Sequence, residues 1–125
     1  MDLNEVSKIV IDAAMRVHTE LGPGLLESAY QACLEFELRK RGLAVATQVG
    51  LPVVYEGVKV DVGYRLDLIV EDDLVVELKA VDKIHPIHKA QLLSYLRLSG
   101  KKLGLIINFN VLHLKDGIVR MVNGL

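Results

Sequence analysis

Two apolar runs separated by three acidic residues strongly constrain how this chain can fold. The runs are 65–70 and 74–80, and Glu71-Asp72-Asp73 lies between them. Both runs are rich in Val, Leu and Ile, so the pattern predicts two antiparallel strands joined by a short loop. If Val70 pairs with Leu74 across this loop, Asp67 lies opposite Glu77, with their Cβ atoms about 5 Å apart.

This register divides the predicted hairpin into an apolar face and a charged face, because successive side chains of a strand point to opposite sides. The predicted core face carries Leu66, Leu68, Val70, Leu74, Val76, Leu78 and Ala80. The opposite face carries Arg65, Asp67, Ile69, Val75, Glu77 and Lys79. Two carboxylates placed so closely repel each other unless a cation, a proton or a neighbouring lysine compensates.

Hairpin geometry leaves two interpretations of the charged face open. In the first, Lys79 and Arg65 neutralise Asp67 and Glu77 as ordinary exposed ion pairs, each contributing up to about 1 kcal/mol. In the second, the carboxylates bind Mg²⁺ or Mn²⁺, hard cations that prefer oxygen ligands, and the lysine acts on a phosphate or an attacking water. Geometry alone favours the first interpretation, so residues elsewhere in the chain must decide.

Patterns in the remaining sequence predict a single α/β domain over residues 1–125. The predicted elements are helices over 4–20, 26–41 and 86–98, three antiparallel strands within 44–80, and further strands over 103–108, 111–115 and 118–122. Asn4 is the expected N-cap of the first helix, and Pro86 suits the first turn of the third. The predicted order is therefore ααβββαββ(β), with helices flanking a central mixed sheet.

Composition limits the setting and the partners of this domain. Lys and Arg number 15 against 16 Asp and Glu, so any site for a polyanion must be local. The one cysteine, Cys33, cannot form an internal disulfide, which favours a reducing, cytoplasmic location. No signal-peptide pattern and no apolar stretch of about 20 residues is present, so we expect no membrane association.

Three motifs in the sequence resemble those of a known nuclease superfamily. Asp67 followed by Glu77-Leu78-Lys79 resembles the D…ExK signature of the PD-(D/E)xK nucleases. Segment 91–95 resembles the QxxxY element of their RecB-like branch, and segment 24–30 resembles the motif that names the GxxExxY family. The resemblance covers nearly the whole chain. It implies a restriction-endonuclease-like core and its site more firmly than it implies a substrate.

The resemblance also implies roles for the residues of the charged face. Asp67, Glu77 and the carbonyl of Leu78 become ligands of Mg²⁺ or Mn²⁺. Glu27 becomes the helical acid that completes the metal site, although its position alone predicts an ordinary acid in the first turn of a helix. Lys79 becomes the catalytic base or the group that stabilises developing charge.

Two polar residues on the third predicted helix are further candidates. Gln91 and Tyr95 are four residues apart and share one helical face, where they would orient Lys79 or a phosphate. A polar edge of a packed helix is an equally good interpretation. Tyr30 is expected to be a core residue that positions its helix.

Three functions are compatible with these observations. The first is a metal-dependent nuclease that hydrolyses phosphodiester bonds in DNA rather than RNA. The second is a nucleic-acid-binding protein that keeps the nuclease fold without catalysis. The third is a protein-interaction module, for which the apolar content of 51% leaves room for a homodimer face.

Overall fold

The computed structural model describes residues 1–124, which form three helices and seven strands. The helices are α1 (Leu3–Leu21), α2 (Glu27–Lys40) and α3 (Pro86–Ser99). The strands are β1 (Val45–Gly50), β2 (Val53–Tyr55), β3 (Val58–Val60), β4 (Arg65–Val70), β5 (Leu74–Lys79), β6 (Leu103–Asn108) and β7 (Ile118–Val122). A short 3₁₀ helix, Leu114–Gly117, precedes β7. None of the helices in this described part combines the length and the hydropathy needed to cross a membrane.

Five strands form one mixed sheet in the order β1-β4-β5-β6-β7. β5 and β6 are parallel and are connected through α3, whereas the other neighbouring pairs are antiparallel. β2 and β3 form a separate two-stranded hairpin. The chain therefore has the predicted α/β class, with a mixed central sheet of the kind expected for a restriction-endonuclease-like core.

Each face of the sheet is covered by different helices. α1 and α2 pack on one face over an apolar core, which includes Tyr30, Leu34, Leu68, Val76 and Phe109. α3 covers the other face over a smaller core, which includes Ile69, Val75, Leu92, Leu96 and Ile106. A Cβ at Gly104 would lie 2.9 Å from Leu92 Cδ1, so the absent side chain lets α3 approach β6 closely. The central strands are thus buried from both sides.

A side chain caps the start of α1, and the turn after α1 links this helix to α2. The N-cap is Asp2 rather than the predicted Asn4, because Asp2 Oδ1 accepts a hydrogen bond from the Glu5 N–H at 2.8 Å. The helix ends at Gly22, whose φ of 68° is readily adopted by glycine. The Tyr30 hydroxyl donates to the Gly22 carbonyl at 2.6 Å, which ties the first turns of α2 to the end of α1.

The predicted strands differ from the structure in two respects. The first predicted strand is divided into β1 and β2, and the second is divided into β3 and β4. Pro52, which has no N–H to donate, lies between β1 and β2. The strand predicted over 111–115 is wrong, because this segment is irregular and leads into the 3₁₀ helix. β6 already has β5 and β7 as neighbours, so no edge remains for another strand beside it.

Candidate active site

The β4–β5 hairpin has the predicted register until the two carboxylates meet. Val70 pairs with Leu74, as expected. Further along, the Leu78 N–H donates to Asp67 Oδ2 at 2.8 Å, and the Asp67 N–H donates to Glu77 Oε1 at 3.4 Å. At this level the two strands are therefore joined through carboxylate side chains.

The side chains of the hairpin do not alternate regularly along its whole length. Leu68, Val76 and Leu78 lie in the core beneath α1 and α2, as predicted. Leu66, which was expected beside them, belongs instead to the core beneath α3. The alternation changes at Asp67 because the regular ladder is interrupted there.

The adjacent strand β1 is irregular at the same level. Gln48 has a φ of 49°, an uncommon value for a residue with a side chain. Its amide nitrogen donates to Gln31 Oε1 at 2.8 Å and to Asp67 Oδ1 at 3.5 Å. The sequence analysis predicted a role for neither glutamine. The available signal for Gln48 was a polar side chain within a strand, at the level of the predicted carboxylate pair.

Glu77 is the most strongly perturbed acid of the described residues. Only 6% of its surface is exposed. Burial raises the pKa of the Glu77 carboxyl to about 9, with further contributions from the hydrogen bond and the charge of Asp67. Lys79 acts in the opposite direction without offsetting the burial. In the absence of a cation, this carboxyl therefore keeps its proton at neutral pH.

Glu27 brings a third carboxyl group near this pair from the first turn of α2. Partial burial raises the pKa of Glu27, and the charge of Asp67 raises it further, while Lys79 lowers it. Within residues 1–124, however, no three His, Cys, Asp or Glu side chains lie close enough together to hold a metal ion as they stand. Glu27 is thus within electrostatic range of Asp67 and Lys79, and the three carboxyl groups do not form a ready-made metal site.

The end of β5, which carries Lys79, is held by a buried residue that sequence reasoning also missed. Asn108 is 1% exposed. Its side chain accepts from the Val81 N–H at 3.1 Å and donates to the Val81 carbonyl at 2.9 Å. The Phe109 N–H donates to the Lys79 carbonyl at 3.0 Å. These bonds fix the backbone at the lysine carbonyl and directly after it.

α3 supplies the other wall of the site. Tyr95 is 8% exposed, and burial raises the pKa of its hydroxyl, followed by the charge of Glu77. Gln91 lies one turn earlier on the solvent side. The ring of Tyr64 lies beside that of Tyr95, with centroids 5.9 Å apart. The helix therefore places Tyr95 within electrostatic range of Glu77 and Asp67, while Gln91 is exposed to solvent.

Tyr30 is a buried support for α2. Its ring stacks on Phe109 with centroids 4.5 Å apart, and its hydroxyl accepts from the Leu25 N–H at 3.1 Å. It therefore holds the start of α2, and with it Glu27, against the end of β6.

Comparison with known proteins adds one finding. A family model described as the PD-(D/E)XK nuclease superfamily matches residues 4–121. Comparison with curated proteins and with solved structures gave no significant match.

Proposed function

Because the chain belongs to the PD-(D/E)XK nuclease superfamily, we propose that it is a Mg²⁺- or Mn²⁺-dependent nuclease that hydrolyses phosphodiester bonds in DNA. The observation that carries this proposal is the buried Glu77 carboxyl held against Asp67. The motifs over 24–30 and 91–95 further support assignment to the GxxExxY family and to the RecB-like branch.

The donor set at this point suits a hard divalent cation. Asp67, Glu77 and the Leu78 carbonyl would hold the ion, and Glu27 would complete the set from α2. All of these groups offer oxygen, which Mg²⁺ and Mn²⁺ prefer. A cation would replace the proton on Glu77, and it would offset the burial and the repulsion by Asp67 that raise the pKa values of Glu77 and Glu27.

The ion, when bound, supplies positive charge to a phosphate and acidity to a water molecule. The residues of the chain have separate tasks. The Leu78 N–H holds one oxygen of Asp67, and the Gln48 amide lies beside the other, so the carboxylate cannot rotate freely. Lys79 stabilises the negative charge that develops on the phosphate as the bond breaks. Gln91 and Tyr95 orient the phosphate or the lysine from α3.

A protein-interaction module is the second candidate, and an exposed apolar hairpin favours it. Val54, Tyr55 and Val58 on β2 and β3 are 56%, 68% and 61% exposed. Apolar side chains grouped in this way are typical of an interaction surface. This surface would also suit a homodimer, and it does not require the carboxylate pair.

A cleavage assay with matched charge changes tests the nuclease proposal. Single-stranded and duplex DNA and RNA are incubated with the protein and Mn²⁺ or Mg²⁺, with a chelator as the negative control. We expect Glu77→Gln to abolish cleavage, whereas Asp73→Asn, which removes an exposed carboxylate at the hairpin turn, retains it. A protein that cleaves none of these substrates with either metal would refute the proposal, as would equal activity in the two variants.

A further inference from the structure

A cleft extends along α3 from Gln91 and Tyr95, and its other lining residues have no role in the mechanism proposed for the carboxylates. It lies between α3 and the segment 53–64, with a volume of about 420 Å³. Its walls include Val53, Tyr64, Ile87, Gln91, Tyr95 and Leu98. The volume falls in the range of roughly 300–1,000 Å³ that is usual for sites of small organic groups. Ile87 is 70% exposed, so the cleft presents apolar surface to solvent.

Two tyrosines give this cleft a shape that suits a flat ring. Tyr64 and Tyr95 are tilted by 54° rather than stacked, so neither ring covers the face of the other. Tyr64 is 44% exposed and remains accessible to a ligand. Tyr95 is buried and lies within electrostatic range of Glu77. A planar group that enters the cleft therefore lies beside a tyrosine that is within electrostatic range of the proposed catalytic carboxylates.

The charges around the cleft favour an anionic ligand. In the part of the chain that the structure describes, Lys59, Arg65 and Lys79 take part in no ion pair with an acid. The arginines of α1 and α2 behave differently, since Arg16 and Arg39 are each paired with a glutamate. Lys59 and Arg65 line, together with Asp61, an adjoining pocket that shares Tyr64 with the cleft. Two basic side chains and one acidic side chain thus lie next to the cleft, although the net charge of the chain is −1.

We propose that this cleft binds one unpaired nucleobase of a single-stranded nucleic acid, and so presents the adjoining phosphate to Asp67 and Glu77. The inference rests on the proposed nuclease function and specifies its substrate. An aromatic ring stacks on any base, and nearby cations bind the phosphates. Gln91 and Ser94 offer hydrogen bonds to a base edge. Bases in a duplex are already paired and stacked, so single strands and unpaired ends should bind more tightly.

Binding measured without turnover tests the cleft separately from catalysis. Fluorescence anisotropy with labelled single-stranded and duplex oligonucleotides, in a chelator, gives the dissociation constants. We expect Tyr64→Ala to weaken single-strand binding about tenfold or more, because loss of one stacked base removes a contact of that order. Tyr64→Phe keeps the ring and should stay within about twofold of the unmodified protein. Tyr55→Ala is the matched control, because Tyr55 is 68% exposed and does not line the cleft.

A second readout reports stacking directly. The chain contains no tryptophan, so Tyr64→Trp introduces a single tryptophan, whose fluorescence we expect a bound single strand to quench and a duplex to leave unchanged. Equal loss of single-strand and duplex binding in Tyr64→Ala, or no loss in either, would overturn the proposal. So would a dimer that Tyr64→Ala converts to monomers, because a second copy would then cover the cleft. If the protein binds single strands but cleaves none of them in Mn²⁺, the proposed base-binding cleft is supported and only the nuclease function is refuted.

Discussion

Replacing Glu77 by glutamine should stabilise the metal-free protein at alkaline pH. Glutamine has nearly the same shape as glutamate but carries no ionisable proton. It would keep the packing of a residue that is 6% exposed, while removing the cost of ionising it beside Asp67. The variant therefore isolates the electrostatic effect from any change in the volume of the core.

The size of this effect follows from the pKa of Glu77, which is raised from 4.5 to about 9. A group with a raised folded-state pKa keeps its proton in the native protein but loses it on unfolding. Stability is therefore lost as pH rises between these two values. Each pKa unit corresponds to about 1.36 kcal/mol. Between about pH 5 and about pH 8, Glu77 should lower the free energy of unfolding by about 4 kcal/mol.

Urea denaturation at several pH values, in a chelator, measures this difference. The unmodified protein should lose stability as pH rises, and Glu77→Gln should lose much less. Glu27, whose pKa is also raised, remains in both proteins and leaves a smaller slope in the variant. Asp73→Asn, at the exposed hairpin turn, should follow the unmodified protein. Parallel pH profiles for the unmodified protein and Glu77→Gln would show that Glu77 ionises without cost, contrary to the reasoning from burial.

Three further predictions concern the metal, the lysine and its support. Millimolar Mn²⁺ should raise the melting temperature of the unmodified protein by mass action, and Asp67→Ala should abolish the gain; an equal gain in the variant would place the ion elsewhere. In calorimetric titrations, Lys79→Ala should bind Mn²⁺ at least as tightly as the unmodified protein. The same variant should show no activity in cleavage assays, because the role of Lys79 lies in the reaction step. Asn108→Ala should lower the free energy of unfolding by roughly 1–3 kcal/mol, since it leaves both polar backbone groups of Val81 without their partner. Urea denaturation measures this, with Asn110→Ala as the control, because that variant keeps the Asn110 N–H that donates to Asn108 Oδ1 at 3.2 Å; equal stability of the two variants would contradict the prediction.

Local sequence patterns were sufficient to predict the hairpin and the contact between its carboxylates. The acidic turn and the apolar runs on either side predicted the hairpin, and the pairing of Val70 with Leu74 that was assumed for it is present in the structure. Once that register is set, the period of two residues in a strand brings Asp67 and Glu77 to the same level. Helical periodicity likewise located the three helices to within a few residues.

The remaining features depend on contacts between distant segments. Gln48 and Asn108 reach the site from β1 and β6, and sheet order cannot be deduced from the periodicity of either strand. The strand expected over 111–115 was wrong for the same reason, because local propensity does not reveal which sheet edges are already occupied. The displacement of Leu66 to the core beneath α3 follows from an interrupted ladder that an ideal strand pattern cannot anticipate.

The burial of Glu77 favours the second of the two interpretations that hairpin geometry left open, and it supports the proposed metal site. An exposed ion pair costs little to form, but a carboxyl group that is 6% exposed and held against a second carboxyl group lowers stability at neutral pH. A glutamine there would avoid that cost, so the solvated-face interpretation gives no reason for a glutamate. At the same level of the sheet, Gln48 has an unfavourable backbone conformation and the β4–β5 ladder is interrupted. Departures from stable geometry that coincide at one point are typical of functional sites, and a bound cation would offset the largest of them.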